Sequence, residues 1–216
     1  MKRSLPFLLL SLALLSGMSA GEARPARRSA QPPGEWRVYS ADHASSRYSP
    51  LTQIHRGNFK DLRVAWRWDS VDNAVLKLQP NRGVGPNQAT PLMVNGILYT
   101  STSLNQVAAI DAATGKTLWA FNPESYGGVH RGVAYWEGPR KGGGKDRRLL
   151  IGINTSYLLA LDADTGKLIP SFGENGRIDL AQGLRRPVDR TQVNVTSPPI
   201  ICRDVVVIGG AVNDFG

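Results

Sequence analysis

The feature that most constrains this 216-residue chain is an internal echo. Residues 107–119 read VAAIDAATGKTLW and residues 158–168 read LLALDADTGKL, so two Asp-Ala-x-Thr-Gly-Lys cores begin 51 residues apart, at Asp111 and Asp162. A second pair of segments opens the units. Ala89–Thr100 (ATPLMVNGILYT) and Thr196–Ile208 (TSPPIICRDVVVI) share a small residue, proline, an apolar run, a polar turn and a second apolar run. Their starts lie 107 residues apart, about two repeats. A fixed period of this size calls for a stack of similar supersecondary units, each burying its apolar face against the next.

Within a unit the pattern is strand, turn, strand, turn, strand. Leu92–Val94 and Ile97–Tyr99 are short apolar runs joined by Asn95-Gly96, a strong hairpin signal. Val107–Asp111 is a third strand, Thr114-Gly115 a turn, and Thr117–Phe121 the start of a fourth. Four antiparallel strands in about fifty residues match one propeller blade. Upstream, Leu62, Val64, Trp66 and Trp68 alternate with Arg63, Ala65 and Arg67, which predicts another strand with one apolar face. No stretch after residue 30 shows a sustained helical period. The 23 glycines and 14 prolines fit many strands and turns and disfavour a helix bundle. In the repeated turn, Asp and Thr bond the local backbone, Gly takes positive φ, and Trp packs between sheets. Two units and the opening of a third cannot close a ring of roughly four to eight blades. The chain is therefore expected to be an incomplete propeller.

Composition narrows the function. The net charge is +9, but residues 1–30 carry +4 of it and the remaining basic residues are dispersed, apart from Arg140–Arg148 and Arg185–Arg190 beside Gly or Pro. These read as solvated loops, and nucleic acid is not an expected partner. A single cysteine, Cys202, excludes an internal disulfide framework and a Cys-rich metal site, and it reads as a buried strand residue. His43, His55 and His130 form no metal motif. Gly138–Asp146 is glycine-rich and basic, yet it lacks phosphate-loop spacing and has Asp146 where a hydroxyl is needed. Asn154-Thr155-Ser156 and Asn194-Val195-Thr196 fit a glycosylation pattern short enough to arise by chance.

The amino terminus has the three parts of a secretory signal: basic Met1–Arg3, apolar Leu5–Leu15, then small residues at Ser16, Gly17, Ser19, Ala20 and Gly21. The apolar run is too short for a spanning helix, which needs about 20 residues. Cleavage after Ala20 or after Ala23 fits equally, so 1–23 is taken as the signal peptide and 24–34 (RPARRSAQPPG) as a flexible tail. No cysteine follows the apolar run to accept lipid. Residues 35–216 form the expected propeller portion, located in the periplasm, with no transmembrane span in the mature chain.

The ordered set of motifs carries a family resemblance. It runs from Trp36, through Tyr48-Ser49-Pro50-Leu51, Ala65-Trp66, Ala89-Thr90-Pro91-Leu92 and Ala109-Ile110-Asp111…Thr114-Gly115-Lys116…Trp119. It continues through His130-Arg131-Gly132-Val133-Ala134-Tyr135-Trp136, Leu161-Asp162-Ala163-Asp164-Thr165-Gly166-Lys167, Phe172-Gly173-Glu174-Asn175-Gly176 and Thr196-Ser197-Pro198-Pro199. Residues 34–216 resemble the amino-terminal third of quinoprotein dehydrogenases dependent on pyrroloquinoline quinone (PQQ), nearest the glucose dehydrogenase-like branch. The resemblance implies an all-β, eight-bladed β-propeller of four-stranded antiparallel blades, of which only the first few are present here. It also implies PQQ and a divalent cation (Ca²⁺ or Mg²⁺) near the axis, a sugar or alcohol substrate, and a quinone or cytochrome c electron acceptor.

Matching positions carry the implied roles. Arg131 corresponds to an arginine that contacts PQQ, a tricarboxylate well suited to a planar guanidinium. Gln88 stands where many relatives have a cofactor-bonding glutamate; an amide keeps the reach and loses the charge. Thr196 corresponds to a threonine that bonds a PQQ carboxylate. Gly209, Gly210 and Ala211 supply small residues where backbone can approach a flat ligand, and Asp214 falls at a metal-binding carboxylate. The plain alternatives are an ion-paired strand-end arginine, a loop glutamine, a strand-opening threonine and a turn aspartate. Some relatives carry a disulfide ring just before the arginine; here Gly127-Gly128-Val129-His130 has no cysteine. His130 then either covers that face of the cofactor or touches substrate, or is a surface or strand histidine. The family's catalytic aspartate belongs to later blades, so no catalytic residue is named, and this portion alone is expected to be inactive. The alternative function is a non-catalytic β-propeller binding scaffold of the bacterial envelope, which would need neither Arg131 in its setting nor an acid at 214.

Overall fold

The computed structural model describes residues 32–126, 129–186, 188–190 and 193–210. The first sheet joins β1 (Leu92–Val94), β2 (Ile97–Ser101), β3 (Val107–Asp111) and β4 (Thr117–Phe121) in sequential antiparallel order. The second joins β5 (Ala134–Pro139), β6 (Lys145–Ile153), β7 (Tyr157–Asp162) and β8 (Arg177–Asp179) in the same way. A hairpin, β9 (Ile200–Cys202) with β10 (Val205–Val207), follows. The β1–β2 connection is the two-residue turn that Asn-Gly predicts: Asn95 and Gly96 both take positive φ, 50° and 79°.

The repeated turn is a small hydrogen-bonded machine. Asp111 Oδ1 accepts from the Ala113 and Thr114 amides and from the Thr114 hydroxyl at 3.1, 2.8 and 2.7 Å. Asp162 does the same with Asp164 and Thr165 at 3.1, 2.8 and 2.8 Å. The Thr114 contacts hold the Asp111 carboxyl below the usual carboxylate range. Gly115 and Gly166 sit at φ of 72° and 71°, and a Cβ on either would clash with an indole, 2.6 Å from Trp66 and 2.4 Å from Trp119. Each indole also donates to the adjacent alanine carbonyl, Trp66 to Ala112 and Trp119 to Ala163, both at 3.1 Å.

Period-two burial follows. Leu149, Ile151 and Ile153 of β6 join Leu92, Val94, Tyr99, Val107, Ala109, Leu159 and Leu161 in the core between the two sheets. Tyr99 stands there 6.1 Å, centroid to centroid, from both Trp119 and Tyr135. Leu150 faces the other way, with Ala134 and Leu158, toward Ile201 and Val206 of the hairpin. On the edge of β1, Trp36 and Met93 exchange backbone bonds at 2.8 and 3.0 Å. Glu137 of β5 gathers Lys145, Arg147, the Tyr135 hydroxyl and, at 3.8 Å, Arg37. Its carboxyl is held below the usual range chiefly by the Lys145 bond.

Four local expectations change. The Arg140–Arg148 run is only partly loop, because Lys145–Arg148 open β6, where Arg147 pairs with Glu137 and Asp164. Residues 62–68 join no sheet among the described residues: Trp66 and Trp68 dock, the latter on the Thr117 hydroxyl at 2.9 Å, while Leu62 and Val64 are 53% and 68% exposed. Trp66 stands to the first turn as Trp119 of β4 stands to the second, so this segment takes the place of a fourth strand. A short helix, α1 (Asp72–Leu78), was not expected from periodicity. It is fixed by tertiary anchors: buried Val75, and buried Asp72, which accepts from the Thr102 hydroxyl at 2.6 Å, the Gln106 amide at 2.7 Å and Leu104 N–H at 3.2 Å. Cys202 is exposed rather than buried, because the β9 alternation turns Ile201 inward. Among the described residues no helix is long and apolar enough to cross a membrane.

Trp119→Ala removes packing and a hydrogen bond together and is expected to cost about 3 kcal/mol in urea denaturation of the purified protein. Gly166→Ala should cost at least ~1 kcal/mol, since it adds left-handed strain to a steric clash. A neutral Gly166→Ala would show that the turn does not seat the indole.

Candidate functional site

Each sheet begins with a strand preceded by a small-residue or proline segment, and these three openings are tied to one another. Thr90 N–H, ahead of β1, donates to the Arg131 carbonyl at 3.1 Å; Arg131 N–H, ahead of β5, donates to the Thr196 carbonyl at 3.0 Å. Gly132 lies at φ +130°, and a Cβ there would come within 3.1 Å of the Thr90 carbonyl oxygen. Backbone can approach backbone this closely only at glycine.

Two of the anticipated residues meet. Arg131 Nη1 donates to Thr196 Oγ1 at 2.9 Å across 65 residues of sequence, with both side chains half-buried. The hydroxyl accepts from the guanidinium and keeps its own hydrogen to donate. Among the described residues Arg131 has no other side-chain partner and no acidic partner. The pair therefore offers several donors and one positive charge to an anion, the arrangement a carboxylate binds most strongly. Gln88 is exposed, two residues before Thr90, and its amide makes no side-chain bond among the described residues. Gly209 and Gly210 have open space where a Cβ would be, so no protein atom there requires glycine. Ala211 and Asp214 lie outside the described residues, and so does the Gly127-Gly128 stretch. Among the described residues no group of three His, Cys, Asp or Glu side chains could hold a metal ion.

His130 is not a surface histidine. It is 3% exposed, and its Nε2 bonds the Gly152 carbonyl of β6. A carbonyl can only accept, so Nε2 carries the hydrogen, and burial pushes the imidazole below its ordinary pKa. Sequence reasoning passed over two residues beneath the site, Gly152 and Val195. A glycine inside the apolar strand LLIGI was the available signal, since strand glycines mark close approach.

The comparisons with known proteins bear on this geometry. Residues 36–216 match the family model described as the β-propeller domain of PQQ glucose/ethanol/alcohol dehydrogenases. The chain belongs to this PQQ-dependent dehydrogenase family. It is 32% identical over 209 residues to the quinoprotein glucose dehydrogenase of Gluconobacter oxydans, covering 90% of this chain and 26% of that protein. It is 36% identical over 193 residues to the dehydrogenase subunit of the same organism's alcohol dehydrogenase (quinone), covering 85% and 22%. The crystal structure of quinohemoprotein alcohol dehydrogenase from Comamonas testosteroni superposes with a TM-score of 0.61 at 30% identity, covering 82% of this chain and 23% of that one. The chain thus spans about a quarter of the length of these relatives. The four-stranded antiparallel sheets are accordingly those of a β-propeller.

Because His130 is kept neutral by burial, it opposes folding once the unfolded chain can bind a proton. Its share of stability is intact above the unfolded pKa of about 6.5 and is lost as pH falls from there toward the depressed folded value, by at most ~1.4 kcal/mol per pH unit. Urea titrations between pH 7.5 and 5 should show this slope in the wild type and a shallower one in His130→Gln.

Proposed function

We propose that this chain is the cofactor-binding amino-terminal part of an exported dehydrogenase that oxidises a sugar or alcohol hydroxyl with PQQ. The observation that carries the reading is the Arg131–Thr196 contact. It joins two blades through the residue types that suit a polycarboxylate, within the span matched by the family model. PQQ, when bound, would supply an ortho-quinone able to accept two electrons from the substrate. The chain's own residues would bind and orient it. Arg131 would bond a carboxylate with the N–H groups that Thr196 leaves over, Thr196 would donate its hydroxyl hydrogen, and Gln88 would reach in as a neutral amide. Gly210 and Ala211 would border the ligand, and Asp214 would be one oxygen ligand of a Ca²⁺ or Mg²⁺ ion. No residue of this chain is assigned as the base.

The apolar Leu5–Leu15 run and its flanks support export to the periplasm, with residues 1–23 removed. The acceptor is read as a quinone or cytochrome c, and a relative whose name specifies a quinone supports the first. A non-catalytic scaffold is less well supported, because it gives no reason for a guanidinium and a hydroxyl to meet with no acidic partner among the described residues.

The protein, purified at its native length and freed of metal, should bind PQQ in a fluorescence titration and reduce a dye with glucose or simple alcohols only when PQQ and Ca²⁺ or Mg²⁺ are present. Arg131→Ala is expected to raise the PQQ dissociation constant about 10–100-fold, the worth of one or two charge-assisted bonds. A wild-type protein that binds no PQQ would sink this reading and leave the scaffold.

A further inference from the structure

Arg131 and Thr196 come from different loops. Directly before Arg131 stands His130, and directly before Thr196 stands Val195. Both buried residues meet the same residue of β6, Gly152. His130 bonds its carbonyl. Val195, 1% exposed, fills the space a side chain at 152 would occupy: a Cβ there would lie 2.5 Å from Val195 Cγ1 and 2.6 Å from its Cβ.

The sheet register explains why this residue is open on both sides. β5 pairs with β6 only as far as Ala134↔Leu150, whereas β6 and β7 stay paired to Ile153↔Tyr157. Ile151–Ile153 therefore overrun β5, and the edge left by the missing ladder is where His130 binds. The β6–β7 turn holds the second arm further upstream. Buried Ser156 shares its one hydroxyl hydrogen between the carbonyls of Arg190 at 2.7 Å and Val193 at 3.2 Å.

We infer that Gly152 positions the two halves of the anion-binding pair, holding Arg131 through His130 and Thr196 through Val195. Gly152, His130 and Val195 are positioning residues that act through the Arg131–Thr196 bond. The ligand they serve is the PQQ carboxylate of the proposed function, on which this inference rests.

Two measurements on the purified protein test it. In PQQ fluorescence titrations, Gly152→Ala and His130→Leu should each weaken binding about tenfold, while His130→Gln, which restores an N–H donor at similar reach, should stay within about threefold of wild type. In a Thr196→Val background, Gly152→Ala should cause little further loss, because both act on one contact; independent damage would add. The second measurement needs no cofactor. The melting temperatures of Arg131→Ala, Thr196→Val and the double variant should show coupling in the wild-type background and none with Gly152→Ala. If Gly152→Ala does not accumulate, Val195→Ala, which only removes methyl groups from the same seat, replaces it. Wild-type affinity in both Gly152→Ala and His130→Leu, additive losses, or unchanged coupling would overturn the inference. A wild type that binds no PQQ but shows the coupling would sink the cofactor reading alone.

Discussion

The indole-on-glycine contact is the constraint from which the rest of the structure hangs. A turn built by Asp, Thr and Gly leaves a bare Cα at its apex, and a tryptophan from the neighbouring element lies flat on it while donating to the turn's own backbone. Apolar packing alone would let two sheets slide over each other, since it has no direction. The indole N–H bond fixes where along the turn the ring sits. Because the same contact recurs at Trp66 and Trp119, adjacent units are set at one repeating offset, and repetition of an offset is what makes a ring.

The segments that precede β1, β5 and β9 come close enough to share backbone hydrogen bonds. Gly132 permits the closest of these approaches. The guanidinium and hydroxyl that meet there are separated by a whole blade in sequence, so their meeting is a property of the assembly and of neither loop alone.

The legible part of the sequence was whatever depends on local chemistry. Asn95-Gly96, the Asp111 and Asp162 turns and the short apolar runs Leu92–Val94 and Ile97–Tyr99 each announce their geometry within a few residues. Arg131 and Thr196 were legible only through resemblance, because no spacing rule brings positions 65 residues apart together. What escaped was tertiary in origin. Alternation at Leu62–Trp68 is a strand's pattern, but pairing needs a partner edge, and period alone does not supply one. Helix α1 has too few turns for periodicity and forms because Asp72 finds three donors outside the helix. Cys202 was misplaced by one step of a two-residue alternation, the smallest error a strand permits and one that reverses the face. Gly152 was passed over in the sequence, and its use appears only when Val195 and His130 arrive from elsewhere.

The threading of hydrogen bonds from Thr90 to Arg131 to Thr196 has a thermodynamic corollary. A ligand gripped by Arg131 and Thr196 together spans the seam between two blades, so its binding free energy is added to that seam. Linkage runs in both directions: whatever loosens the seam weakens the ligand, and the bound ligand resists separation of the blades. A ligand bound as proposed would therefore strengthen the same seam that positions its own binding groups.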